Sequence, residues 1–125
     1  SHSNARGACF HLRNLSDEMI RQLAERGGVT GINFCPSFLR EEEPAAKKAS
    51  TMDMVRHMKY LRNVGGIDII GLGTDFDGFS GETDVPDTAH MQHLADVMSH
   101  DGFTDEEIEK VFSKNVLRVF RECWK

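Results

Sequence analysis

Two carboxylates stand where a strand built to avoid water comes to an end. The segment "GLGTDFDG", residues 71–78, closes the apolar run "IDIIGL" and delivers Asp75 and Asp77 among glycines at 71, 73 and 78. An aspartate so placed can ligate a metal ion or accept a proton from metal-bound water. Asp75, at the strand end, is the candidate for that chemistry. Asp77 reads as a loop cap, accepting backbone N–H bonds as short acids do in turns. A calcium EF-hand is excluded, because Gly73 stands at its first position and Asp84 at its last, and a strand leads in where a helix is required. Among the histidines, His57 lies beside a helical stripe and is assigned to packing or hydrogen bonding. His90 and His93 share a helix face, yet with His100 they read as surface residues, away from any strand end and with no carboxylate to complete a site. At the chain's start, "SHSNARGACFHLRN" sets His2 between two serines and Arg13 eleven residues further on. Taken alone, His2 is an exposed residue near a terminus.

Residues 67–76, "IDIIGLGTDF", form the near-continuous apolar run expected of a strand covered on both faces, as in a parallel sheet. "VTGINF", residues 29–34, is short and partly β-branched, and predicts a second buried strand. Helices feed both. "RNLSDEMIRQLAERGG" has Ser16 as N-cap, Asp17 and Glu18 at its positive end, an apolar face of Met19, Ile20, Leu23 and Ala24, and a Gly27–Gly28 stop. "TMDMVRHMKYLRNVGG" predicts another, capped by Thr51, with Met54, Val55, Met58 and Leu61 inward and Gly65–Gly66 as terminator. Residues 88–99 predict a third, with Met91, Leu94, Ala95 and Met98 inward. In "FTDEEIEKVF", Thr104 and Glu107 form a capping box and Phe103 staples onto Ile108. Its helix continues through Val111, Phe112, Leu117, Val119 and Phe120, with a break near 113–115. Segments 35–50 and 78–87 are expected as surface loops, the first on its prolines and its solvated run Glu41, Glu42 and Glu43. Alternating helices and strands predict an α/β fold with parallel strands, in which ligands gather beyond the carboxyl ends. Two strands make no stable sheet by themselves, so more must be supplied.

With 125 residues and one core, the chain reads as a single domain, residues 1–125. Its net charge of -5 and scattered lysines and arginines exclude a phosphate-tracking surface, so no nucleic-acid partner is expected. No apolar stretch reaches the ~20 residues of a spanning helix. Cys9, Cys35 and Cys123 form no CxxC pair, which argues against a disulfide framework or thiolate zinc site and for a reducing, cytoplasmic setting.

The strand running into Asp-x-Asp-Gly resembles the nucleophile motif of haloacid-dehalogenase-like phosphatases, with Asp75 attacking phosphorus and Asp77 protonating the leaving group. That motif opens its domain, whereas this one lies past the middle. A second resemblance covers essentially the whole chain. "SHS" with its downstream "RN", "ERGGVTGINF", "HMKYLRNVGGIDIIGLGTDFDG" and "DEEIEKVFSKNVLRVFRE" are similar, in register, to the renal (membrane) dipeptidase family. The resemblance implies a zinc-dependent dipeptidase on a (β/α)8 TIM barrel of the amidohydrolase type, with two zinc ions bridged by a glutamate and a hydroxide. His2 matches a zinc ligand at the end of strand six. Arg13 matches the residue that holds the dipeptide's carboxylate, and Asp75 the strand-eight acid that takes a proton from the attacking water. The family's first-strand His-x-Asp pair, bridging glutamate and other zinc histidine would all precede this chain. It therefore matches the end of strand six, strands seven and eight and their helices, about the last third of a barrel of ~250 residues or more. A fragment of that kind is expected to be inactive alone and to associate with the missing barrel portion or with another copy, the latter as a non-catalytic assembly module.

Overall fold

The computed structural model describes residues 2–42, 46–76, 78–79 and 81–124. Its centre is a patch of parallel backbone. Strands β1 (Thr30–Ile32) and β3 (Ile70–Leu72) pair in parallel, Thr30 with Ile70, Gly31 with Gly71 and Ile32 with Leu72. His2 forms a parallel bridge to Gly31. Since Gly31 also pairs with Gly71, the His2 segment lies along the other edge of β1. The two expected strands thus become three parallel segments. The ladder is shorter than the apolar runs suggested, although backbone bonds still join the two strands' continuations beyond it, from the Gly73 N–H to Ile32 O at 3.1 Å and from the Phe34 N–H to Thr74 O at 3.3 Å, and side chains tie in the His2 segment. Asn33 donates its N–H to Asn4 Oδ1 at 2.7 Å, and Thr30 Oγ1 exchanges bonds with the Ser3 backbone at 2.7 and 3.2 Å. Before β3 the chain makes a 3-10 turn, Ile67–Ile69.

Alternation along a strand gives the sheet two unlike faces. Ile32 and Ile70 lie on one, fully buried in a core shared with Ile20, Met58 and Leu61. Each such side chain, moved out of water, contributes roughly 1.5–3 kcal/mol. Gly31, Gly71 and Gly73 lie on the other face. Helices α1 (Asp17–Glu25) and α3 (Thr51–Gly65) supply the cover on the apolar side. Ser16 caps α1 as expected, its side chain accepting from the Met19 N–H. Met19 itself is 48% exposed and does not join the inward face predicted for it. In α3, Met54, Val55, Met58 and Leu61 are all buried. Its cap is Ser50, in a reciprocal capping box with Asp53, and Thr51 is the first helical residue. The Ser50 hydroxyl accepts the Asp53 N–H at 3.3 Å and Asp53 accepts the Ser50 N–H at 2.8 Å, which sets the cap one residue early, while the Thr51 N–H and hydroxyl turn to Asp84 at 3.0 and 3.4 Å.

Both expected loops contain structure. Pro36–Leu39 is a short helix, α2, with proline at its start, where the missing N–H costs nothing. Lys48–Ala49 (β2) pairs in parallel with Glu82–Thr83 (β4). Buried Leu39, Ala49 and Val85 anchor these segments to the core. Local composition hid them because the pairing is non-local. Glu43 lies outside the described residues. Helix α4 (Met91–His100) follows a 3-10 turn at Thr88–His90, and Leu94 and Met98 are buried. His90, His93 and His100 are exposed, but His90 does have a carboxylate partner, Asp87, at 2.6 Å. Helix α5 (Asp105–Glu109) carries the Thr104–Glu107 capping box, and in place of the break expected near 113–115 the chain stays helical through a wider π-helical turn, Lys110–Lys114, into α6 (Asn115–Cys123). Buried Phe103 and half-buried Ile108 lie in the common core. Leu117 and Phe120 are largely exposed. All three cysteines are free thiols.

Candidate active site at the strand ends

The glycine face is where the chemistry-bearing residues meet. His2 lies over Gly31, and a Cβ added to Gly73 would fall 2.5 Å from His2 Cβ. Gly73 therefore makes room for the imidazole segment. Beyond Gly73, Asp75 adopts φ 57, a left-handed conformation that aspartate tolerates better than most side chains. The turn closes with the Gly78 N–H donating to Asp75 O at 2.9 Å. A Cβ on Gly78 would collide with the Asp75 carboxylate, 2.0 Å from Oδ1, so that glycine leaves space for the acid. Gly71 has a third use: its would-be Cβ meets Val116 of α6 at 3.1 Å, where the C-terminal helix packs down.

Asp75 Oδ2 stands 3.9 Å from His2 Nε2. Asn33 Nδ2 donates to the same oxygen at 3.5 Å, a long bond. Both side chains are partly open to solvent, at 38% and 29%. Asn33 is fully buried and fixed from every side. Its Oδ1 accepts the Cys35 N–H at 2.8 Å, its own N–H goes to Asn4 Oδ1, and its carbonyl takes Asn4 Nδ2 at 2.9 Å. Asn33 and Asn4 were not singled out by motif. The available signal was alternation: Asn33 is two residues past Gly31, hence on the same face. A cavity of about 310 Å³ opens beside His2, lined by Gly31, Gly73, Val116 and Phe120.

Arg13 is placed differently. It is exposed on the loop between the His2 segment and α1, with its backbone N–H donating to His11 Nδ1 at 3.1 Å. Its guanidinium carbon lies 5.3 Å from the ring centre of Phe38 in α2, the helix that starts just past β1. Of the three residues singled out for chemistry, the fold brings His2 and Asp75 into direct proximity and seats Arg13 on Phe38 beyond the same strand ends. Asp77 lies outside the described residues.

The site can offer an imidazole and a carboxylate to one small ligand. Among the described residues no group of three or more His, Cys, Asp and Glu side chains is assembled that could hold a metal ion. No helix of the described residues is long and apolar enough to cross a membrane.

A parallel α/β patch with polar residues beyond the carboxyl ends of its strands belongs to the class of α/β folds that gather ligands at those ends. The model of the membrane dipeptidase family, peptidase family M19, matches residues 1–124, and the chain belongs to that family. It is 35% identical over 124 residues to a Klebsiella pneumoniae protein from the pqqA 5′ region, covering 99% of this chain and 46% of the relative. It is 33% identical to dipeptidase tcpJ of Claviceps purpurea, covering 98% of this chain and 28% of that protein. A solved metallopeptidase from Rhodobacter sphaeroides, liganded with a phosphinate mimic of the dipeptide L-Ala-D-Ala, superposes with a TM-score of 0.91 at 29% identity, over 98% of this chain and 35% of that one. The chain thus spans less than half the length of these relatives. Family membership sets aside the phosphatase reading of Asp75 and Asp77.

Proposed function

We propose that this chain is part of a zinc-dependent dipeptidase and contributes the His2 segment, β1 and β3 as strands six, seven and eight of a (β/α)8 barrel. Its share of its relatives' length, the description of tcpJ as a dipeptidase and that of the Rhodobacter sphaeroides protein as a metallopeptidase support the reading. The observation that carries it is the 3.9 Å approach of His2 Nε2 to Asp75 Oδ2 at the carboxyl ends of three parallel segments.

His2 fits a zinc ligand: it is a single imidazole on a glycine-cleared face with its Nε2 directed toward a carboxylate. One imidazole does not hold a metal centre, which takes three or four donors, so the remaining ligands of a two-zinc site would come from residues outside this chain. Zinc, when bound, supplies a water activated for attack at neutral pH. Asp75 would accept a proton at its carboxylate from the attacking water and pass it to the departing amine. The Asn33 amide holds the carboxylate toward His2 through that exchange. Arg13 receives the dipeptide's terminal carboxylate, a task suited to a planar fork of donors. The chain alone is inactive in this reading and associates with the rest of the barrel or with a second copy.

The test uses the full-length zinc-loaded protein with simple dipeptides. Asp75→Asn retains a residue tolerant of φ 57 and removes the basic oxygen. Turnover is expected to fall by two to four orders of magnitude, about the contribution of a general base, with zinc content by elemental analysis unchanged. Full activity in that variant would reject the proton-transfer role.

A further inference from the structure

Four side-chain donors converge on the last two carbonyls of α2. Phe38 O accepts from Asn14 Nδ2 at 2.9 Å and from Asn4 Nδ2 at 3.4 Å. Leu39 O accepts from Arg56 Nη2 at 2.6 Å and is 3.0 Å from His57 Nε2. A four-residue helix leaves its C-terminal carbonyls without intrahelical partners, so such donors decide where it ends and how it is held. They arrive from two directions, the loop after the His2 segment and helix α3.

His57 joins the two. It is fully buried, and while Nε2 faces Leu39 O, its Nδ1 accepts the Ala5 N–H at 3.2 Å. An acceptor at Nδ1 and a carbonyl opposite Nε2 require the neutral ring with its proton on Nε2. Burial lowers the ring's pKa to about 4, in keeping with that form. Arg56 repeats the link nearer the surface, donating to Ala8 O at 3.0 Å as well as to Leu39 O. What is held this way is the floor under Arg13. Phe38 carries the Arg13 guanidinium on its ring and the His11 ring at 4.5 Å, edge-on.

We propose that His57 is a positioning residue that ties the Ala5 backbone to the end of α2 and so fixes Phe38 and the Arg13 guanidinium resting on it. The consequence for substrate rests on the reading that Arg13 holds a dipeptide's carboxylate; the geometric part does not. The experiment is therefore double, on the full-length zinc-loaded protein. NMR of the Arg13 side-chain Nε–H reports the ring-current shift from Phe38, and kinetics compare a dipeptide with its C-terminal amide. In His57→Gln the Arg13 shift is expected to collapse toward the free value. KM for the free-acid dipeptide should rise about tenfold, with kcat within twofold and the amide unaffected. Arg56→Met, at a half-exposed side chain that the fold tolerates, should move the same signal by less and serves if the buried variant does not fold. An Arg13 signal unmoved in the folded variants overturns the inference whatever the activity. A collapsed signal with equal KM changes for acid and amide overturns its link to carboxylate binding. A wild-type protein that cleaves no dipeptide, yet loses the signal on substitution, removes the functional reading and leaves the positioning.

Discussion

Acid should weaken this fold through one buried imidazole. His57 has its pKa lowered from the ordinary 6.5 to about 4. Burial is the largest cause, and the Arg56 charge acts in the same direction. The hydrogen bond to Leu39 and the charge of Asp53 oppose them. The folded state thus keeps His57 neutral where the unfolded chain would protonate it. Between about pH 6.5 and pH 4 the unfolded state binds the extra proton, so stability rises with pH through that window. The contribution is fully present above 6.5 and is lost as pH falls toward 4, below which it is exhausted. At about 1.4 kcal/mol per pH unit of separation, the full loss is about 3 kcal/mol, a large part of the ~5–15 kcal/mol that holds a domain folded. Urea denaturation followed by circular dichroism, at steps from pH 7 to pH 4, measures it. The pH dependence of the rest of the chain is common to both proteins, so the informative quantity is wild type minus His57→Gln. That difference should shrink by about 3 kcal/mol across the window, as the wild type alone loses the term. A difference constant to within about 0.5 kcal/mol would refute the assignment of a neutral, buried His57.

Glycine substitutions test the face that holds the site. Gly31→Ala would place a Cβ 2.6 Å from the Gly73 backbone nitrogen, where nothing can swing aside, and is expected to destabilise by about 1–3 kcal/mol or more in thermal unfolding. Gly73→Ala would place a Cβ 2.5 Å from His2 Cβ, an atom fixed to its backbone, so it should cost a similar amount of stability and push the His2 segment away, read as reduced zinc content of the full-length protein. Thr104→Ala removes half of a reciprocal capping box at α5 and should lower stability by about 1 kcal/mol, measured by denaturant midpoint, with no change in the site.

Local chemistry alone settled much of this protein. The apolar faces of α1 and α3, the Ser16 and Thr104 caps and the glycine stops follow from side-chain size, hydrogen-bonding groups and backbone freedom over a few residues. The strand leading to Asp75 was legible for the same reason: the apolar side chains of Ile69, Ile70 and Leu72 must be covered, and the acid beyond them stands where that cover ends. Tertiary structure decided the rest, because it depends on partners far apart in sequence. Ser50 rather than Thr51 became the cap, and the Thr51 N–H and hydroxyl found Asp84 on the other loop. Short β2 and β4 carry almost no signal of their own, and each is a strand through pairing with the other. The separate tasks of Gly71, Gly73 and Gly78 appear when Val116, His2 and the Asp75 carboxylate fill the spaces they leave. Asn33, Asn4 and His57 look like ordinary polar residues in a linear reading. Burial makes each of their donors and acceptors require a partner, and that requirement joins the His2 loop, α2 and the strand ends into one arrangement.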